Sequence, residues 1–156
     1  MDYTISNRAR VAYHRQGLSP HFPVDVGLRN ARLGYRQQEP THIMENILFN
    51  ELRSRGYSVD VGMVEIESRK NGKREKRQHE VDFVVNLPGG RVYVQSAYAM
   101  ETEEKRNQET LPLMKTGDSF RKIVVTGDYQ GAWMDESGVV HVGIIPFLLD
   151  KSLVEK

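Results

Sequence analysis

The sequence predicts an α/β domain ordered as a helix, a three-stranded antiparallel meander, a second helix and a returning strand. Three observations predict it. An apolar arc with helical spacing lies between Pro40 and Gly56. Three strand-like segments follow, separated by turn dipeptides. A polar segment of helical composition then leads into the β-branched run Ile123-Val124-Val125. Strands followed by a helix and by a strand that returns to the sheet read as an α/β domain.

The elements follow in order. Pro40 and Thr41 open the first helix, with Thr41 as the expected N-cap, and Gly56 is a natural residue just past its end. Ile43, Met44, Ile47, Leu48 and Leu52 fall within one half of the wheel. Glu51 falls inside that half, so it needs a partner, and an arginine is expected. Glu45 sits just beyond the edge of the arc.

Strand signals run from Tyr57 to Ile66, from His79 to Asn86 and from Arg91 to Met100. In the second, alternation puts Val81, Phe83 and Val85 on one face and Glu80 and Asp82 on the other. Asn71-Gly72 reads as a two-residue hairpin turn, and Pro88-Gly89 as a tight turn. Glu101 to Lys115 reads as a helix whose length Pro112 limits. Lys122 to Asp128 is a short buried strand. Residues 129–138 form a polar connection that holds the only tryptophan, Trp133. Val139 to Ile145 is a last strand, and Pro146 to Leu153 a terminal helix. Asp25 to Gln38 carries a short helical pattern. The expected organisation is a leader over residues 1–23 and one domain over 24–156.

Composition narrows the function classes. The chain has 156 residues, enough for one hydrophobic core. Hydrophobic residues make up 38% and charged residues 28%, which argues against a membrane protein and against wholesale disorder. No apolar run approaches the roughly 18 residues that span a bilayer. Met1 to Arg10 lacks the apolar centre of a signal peptide. There is no cysteine, so disulfides and thiolate metal sites are excluded, and the cytoplasm is the expected location.

Net charge is +1, so any basic surface must be local. The hairpin supplies one candidate. Lys70, Lys73, Arg74, Lys76 and Arg77 could contact a phosphate backbone, or could form a solvated hairpin tip. No aromatic residue interleaves with them, so single-strand stacking is not expected there. No G-x-x-x-x-G-K-[ST] motif exists, so the chain alone is not expected to be an ATPase. Neither H-E-x-x-H, nor G-x-S-x-G, nor any zinc-type spacing occurs.

One constellation stands out. Glu45 lies on the first helix and Asp82 near the middle of the second strand. Gln95 and Ala97 are two apart on the third strand and so share a face. Hairpin pairing of the second and third strands brings Asp82 and Gln95 side by side.

This layout resembles the PD-(D/E)XK nuclease-like superfamily. The stretches V-D-V-G-L-R-N-A-R-L-G-Y (24–35), M-E-N-I-L-F-N-E-L-R-S-R-G-Y (44–57), E-V-D-F-V (80–84), Y-V-Q-S-A (93–97) and D-S-F-R-K-I-V-V-T (118–126) carry a closer resemblance. They look like the domain of unknown function that follows the ATPase module in prokaryotic AAA-type ATP-binding proteins. The similarity covers about Val24 to Asp150, in order and spacing.

The resemblance implies a three-layer nuclease-like core. It implies a site with a helix glutamate, a strand-two aspartate, a strand-three acid and a lysine two residues later. Such a site holds Mg²⁺, which favours carboxylate and water oxygens and generates a hydroxide-like nucleophile. Here Glu45 and Asp82 take the first two positions and become the candidate metal ligands. Gln95 stands where the acid is expected and Ala97 where the lysine is expected. The resembling family itself often carries glutamine at that position. A replacement cation could come from the following helix, through Lys105 or Arg106, or from a nearby loop.

The expectation is therefore an accessory or regulatory domain with absent or impaired catalysis, its partner DNA or an AAA-type ATPase module. The alternative is a Mg²⁺- or Mn²⁺-dependent DNA endonuclease with Glu45, Asp82 and Gln95 as its rearranged catalytic set.

Overall fold

A computed structural model describes residues 11–14, 39–70, 73–128 and 131–155, with the side chains of 11–14 and 68–74 outside that description. The order is β1 (Val11–His14), α1 (Pro40–Ser54), β2 (Ser58–Lys70), β3 (Lys73–Leu87), β4 (Gly90–Ala97), α2 (Glu103–Met114), β5 (Arg121–Thr126), β6 (Trp133–Met134), β7 (Val139–Gly143), α3 (Ile144–Leu149) and α4 (Ser152–Glu155). All seven strands form one sheet, in the order β1-β2-β3-β4-β5-β7-β6. The first three pairings are antiparallel. β4, β5 and β7 run parallel, and β6 returns antiparallel along the edge. The protein is therefore α/β with a mixed sheet. No helix among the described residues is long and apolar enough to cross a membrane.

Two apolar clusters divide the core. Met44, Leu48 and Leu52 of α1 pack with Phe83 and Val85 of β3, Val92 and Val94 of β4, Ile123 and Val125 of β5, and Phe147 of α3. Leu113 of α2 packs with Val81, Val84, Tyr93, Ala97 and Val124. Each of these large side chains, taken from water, contributes on the order of 2 kcal/mol. Period-two alternation along β4 and β5 feeds both clusters, and that places helices on both faces of the sheet.

Several expectations need correction. Glu39, not Thr41, occupies the N-cap of α1, with Pro40 in the first turn and no side-chain cap. The proline fixes a helical φ without sacrificing a bonded N–H, which is enough to start the helix. The far end behaves as expected, with Arg55 at the C-cap and Gly56 at φ 88°. α2 runs two residues beyond Pro112, and Thr102 caps its start by accepting the Lys105 N–H. The connection over 129–138 contains the short strand β6, which pairs with β7. β7 stops at Gly143, where α3 begins. The helical pattern over Asp25 to Gln38 and the Asn71-Gly72 turn lie outside the described residues. Within the stretch assigned to the leader, Val11–His14 pairs with β2.

The most consequential correction concerns β3. Val81 lies in the cluster opposite to that of Phe83 and Val85, not on their face. The cause is a bulge. The register steps from Asp60↔Val84 to Gly62↔Val81, so Asp82 and Phe83 together face Val61. One extra residue resets the alternation at the position of the candidate aspartate. Gly62 sits across from the bulge, where a Cβ would lie 2.9 Å from Val84 Cγ2 and 3.1 Å from Val81 Cβ.

Candidate functional site

The β3–β4 register runs from Leu87↔Gly90 to Phe83↔Val94 and is not continued at Asp82. β4 nonetheless extends to Ala97, because its other edge pairs with β5. The strands part at this point, and side chains replace the ladder. Ser96 N–H donates to Asp82 Oδ2 at 2.7 Å. Asp82 N–H donates to Gln95 Oε1 at 3.4 Å. Asp82 and Gln95 are thus brought together, as the sequence predicted, and each is engaged with backbone amides.

Electrostatics extends the group. The Asp82 carboxyl is pushed up to about 7. Burial is the main cause; the Ser96 N–H opposes it, and the carboxylates of Glu45, Glu80 and Glu109 add repulsion. Glu109 is also raised, first by burial and then by Glu45, against a lowering from Lys105. Glu45 has a second neighbour, with His42 Nδ1 3.3 Å from its Oε2.

Glu109 was not singled out from the sequence. A signal was present: it lies four residues before the buried Leu113, so both occupy the covered side of α2. Of the two replacement cations considered, Lys105 lies beside Glu109. Arg106 lines a separate cleft.

Among the described residues, no three His, Asp or Glu side chains converge as a ligand set. One Asp82 oxygen and the Gln95 oxygen already accept backbone amides. A Mg²⁺ needs several free oxygens at about 2 Å in octahedral array. The residues present do not fit one in this arrangement. Ala97 is buried in the cluster with Leu113, Tyr93 and Val124.

The other candidates are placed as follows. Glu51 is the structural ion pair expected: Arg55 Nε lies 2.8 Å from Glu51 Oε1. Arg55 also donates to the carbonyls of Phe147 and Leu148. On the ribbon, Lys76 Nζ lies 2.6 Å from Glu65 and 3.2 Å from Glu67, and Arg77 lies 3.4 Å from Glu75. The side chains of Lys70, Lys73 and Arg74 are outside the described part. Within the 118–126 stretch, Tyr93 Oη donates to Asp118 Oδ2 at 2.6 Å, and Lys122 Nζ donates to the Asp118 carbonyl. Asp118 thus ties the loop between α2 and β5 to both β4 and β5.

A cleft of about 430 Å³ opens where β4 and β5 end, lined by Tyr98, Glu101, Arg106, Asp128, Trp133 and His141 among others. His141 is 2% exposed and stacks on Trp133 at 4.5 Å and 15°. Its Nε2 lies 2.8 Å from Asp135 Oδ2. Burial acts to raise Asp135, but hydrogen bonds from His141, Val139 and Ser137 outweigh it and hold the carboxyl below its ordinary value. A carboxylate only accepts, so Nε2 carries the hydrogen. His141 Nδ1 is buried with no partner among the described residues. No local pattern marks this group, because Trp133, Asp135 and His141 meet only once β6 folds back on β7.

No protein-family model matches the chain. No solved structure matches it. A curated protein of Haemophilus influenzae, described only as an uncharacterized protein, is 34% identical over 129 residues, covering 83% of this chain and 28% of that protein. The chain thus spans less than a third of that relative's length.

Proposed function

We propose that this chain is a noncatalytic module of nuclease-like PD-(D/E)XK type that serves a longer AAA-type ATP-binding protein as an accessory binding domain. One observation carries the reading. Asp82 and Gln95 meet at the site position, but one Asp82 oxygen and the Gln95 side-chain oxygen already accept the amides of Ser96 and Asp82. The same two residue types that would anchor a metal instead close the gap between two parting strands. The strand-three position expected to bear a lysine is the buried Ala97. The order α1-β2-β3-β4-α2-β5, with β5 parallel to β4, supports the core type. The match to part of a much longer relative supports a module within a larger protein.

The partner is an AAA-type ATPase module or nucleic acid. The pairing of Lys76 and Arg77 with ribbon glutamates weighs toward the ATPase module, since neutralised cations release few counterions from DNA.

Plasmid DNA incubated with Mn²⁺ and the protein tests the reading, beside an Asp82→Ala variant. The expected result is no nicking with either. Nicking by the parent chain that disappears in the variant would overturn the proposal in favour of an endonuclease that draws on Glu109 and Lys105. Gel retardation at low salt separates the two partners: retention of DNA favours nucleic acid, and none favours the ATPase module.

A further inference from the structure

We propose that the cleft at the ends of β4 and β5 binds a nucleobase that carries an exocyclic amino group. It shares no lining residue with the Asp82 group, and either can fail without the other.

Position is the first ground. Tyr98 to Glu101 directly follow β4, and Thr126 to Asp128 end β5. Ligands of open α/β sheets gather outside the carboxyl ends of parallel strands. The volume of about 430 Å³ is within the range of small-molecule sites.

The walls define the chemistry. Trp133 is 42% exposed and Tyr98 47% exposed, two aromatic rings open to the cleft. Trp133 is held from behind. His141 covers its inner face, and Asp135 holds His141, itself anchored by the Ser137 and Val139 amides. A ring fixed in this way is a stacking platform with its ordering already done. Asp128 accepts the Thr126 hydroxyl through Oδ1. Its second oxygen and the Glu101 carboxylate have no partner among the described residues. Two carboxylates against one guanidinium, Arg106, favour a flat ligand that donates hydrogen bonds and carries little negative charge. Adenine, cytosine and guanine present such donors, and carboxylates pair with exocyclic amines of this kind. Uracil lacks the amino group.

The full chain can be titrated with adenosine, cytidine and uridine while the emission of Trp133, its only tryptophan, is followed. Saturable quenching by adenosine and cytidine is expected, with uridine weaker by about tenfold, the cost of one charge-assisted hydrogen bond. Asp128→Asn turns a donor toward the ligand and should weaken cytidine by about tenfold while leaving the melting temperature in place. Tyr98→Ala, an exposed side chain, should weaken all bound bases. A short single-stranded oligocytidine that binds more tightly than cytidine assigns the base to a strand; equal binding assigns it to a free nucleoside. The proposal is overturned if no nucleoside quenches saturably, if uridine matches cytidine, or if folded Asp128→Asn binds cytidine unchanged.

Discussion

Asp82 and Gln95 stitch together two strands that have stopped pairing. The Asp82 amide donates to the Gln95 side chain, and the Asp82 side chain accepts the next amide along, that of Ser96. A bulge in β3 puts Asp82 at the point where this is needed. Buried amides without partners cost about 1–3 kcal/mol each, so both side chains hold the fold here whatever else they do.

The Asp82 carboxyl gives stability a pH dependence of unusual sign. Its folded value of about 7 lies above its ordinary value, so the folded state binds the extra proton. The contribution is complete at pH below about 4 and is lost as pH rises through 7. Urea denaturation at pH 5 and pH 8 should show a loss on the order of 3 kcal/mol at the higher pH. Asp82→Asn keeps an acceptor for Ser96 N–H and should flatten that slope. An unchanged slope would mean that the carboxyl is not held in this environment.

Restoring the lysine expected at strand three should fail. Ala97 is 3% exposed and belongs to the cluster that Leu113 of α2 closes. A lysine there must displace packed side chains and bury an ammonium. Ala97→Lys is expected to cost about 2–4 kcal/mol by chemical denaturation, with no nicking gained. A stable variant would show that the strand face is open to solvent.

Arg55 joins the end of α1 to α3. Its guanidinium reaches Glu51 and two α3 carbonyls, and it lies 5.4 Å from the Phe147 ring centre. An ammonium cannot serve all four at once. Arg55→Lys should lower stability by about 2–4 kcal/mol, because it leaves Glu51 and the carbonyls poorly matched. Glu51→Gln should cost less, since the amide oxygen still accepts. A thermal melt of both variants checks the order.

Gly62 provides the space the bulge requires. A methyl group there would press on Val84 and Val81, both fully buried. Gly62→Ala is expected to lower stability by about 1–3 kcal/mol. The loss should shrink when Val84→Ala is added, because that removes the closest atom. Strictly additive losses would place the strain elsewhere.

Much of the frame was legible. The spacing of Met44, Leu48 and Leu52 and the closing Gly56 marked α1, although Ile47 of the same arc lies exposed, and Pro88-Gly89 marked the turn from β3 to β4. The Asp82–Gln95 neighbourhood followed from counting back from the Pro88-Gly89 turn, since hairpin register propagates residue by residue. What stayed hidden was non-local. Alternation alone puts Val81 on the wrong face, because a bulge depends on the fit of two strands and leaves no mark in either one alone. Glu109 was passed over because only the packing of α2 brings it toward Glu45.

That β4 carries the uncharged Gln95 and Ala97 two residues apart could be read directly, because residue identity is local information. The sequence by itself thus determined the order from α1 to β5 and the identity of Glu45, Asp82 and Gln95. Tertiary structure alone decided what those side chains do. Whether an oxygen is free for a ligand depends on which amides the chain leaves unpaired nearby, and that is settled only when β3 and β4 part. The same holds at the other end of the sheet, where β6 folding onto β7 sets Trp133, which read singly as part of a polar connection, against His141 of the last strand.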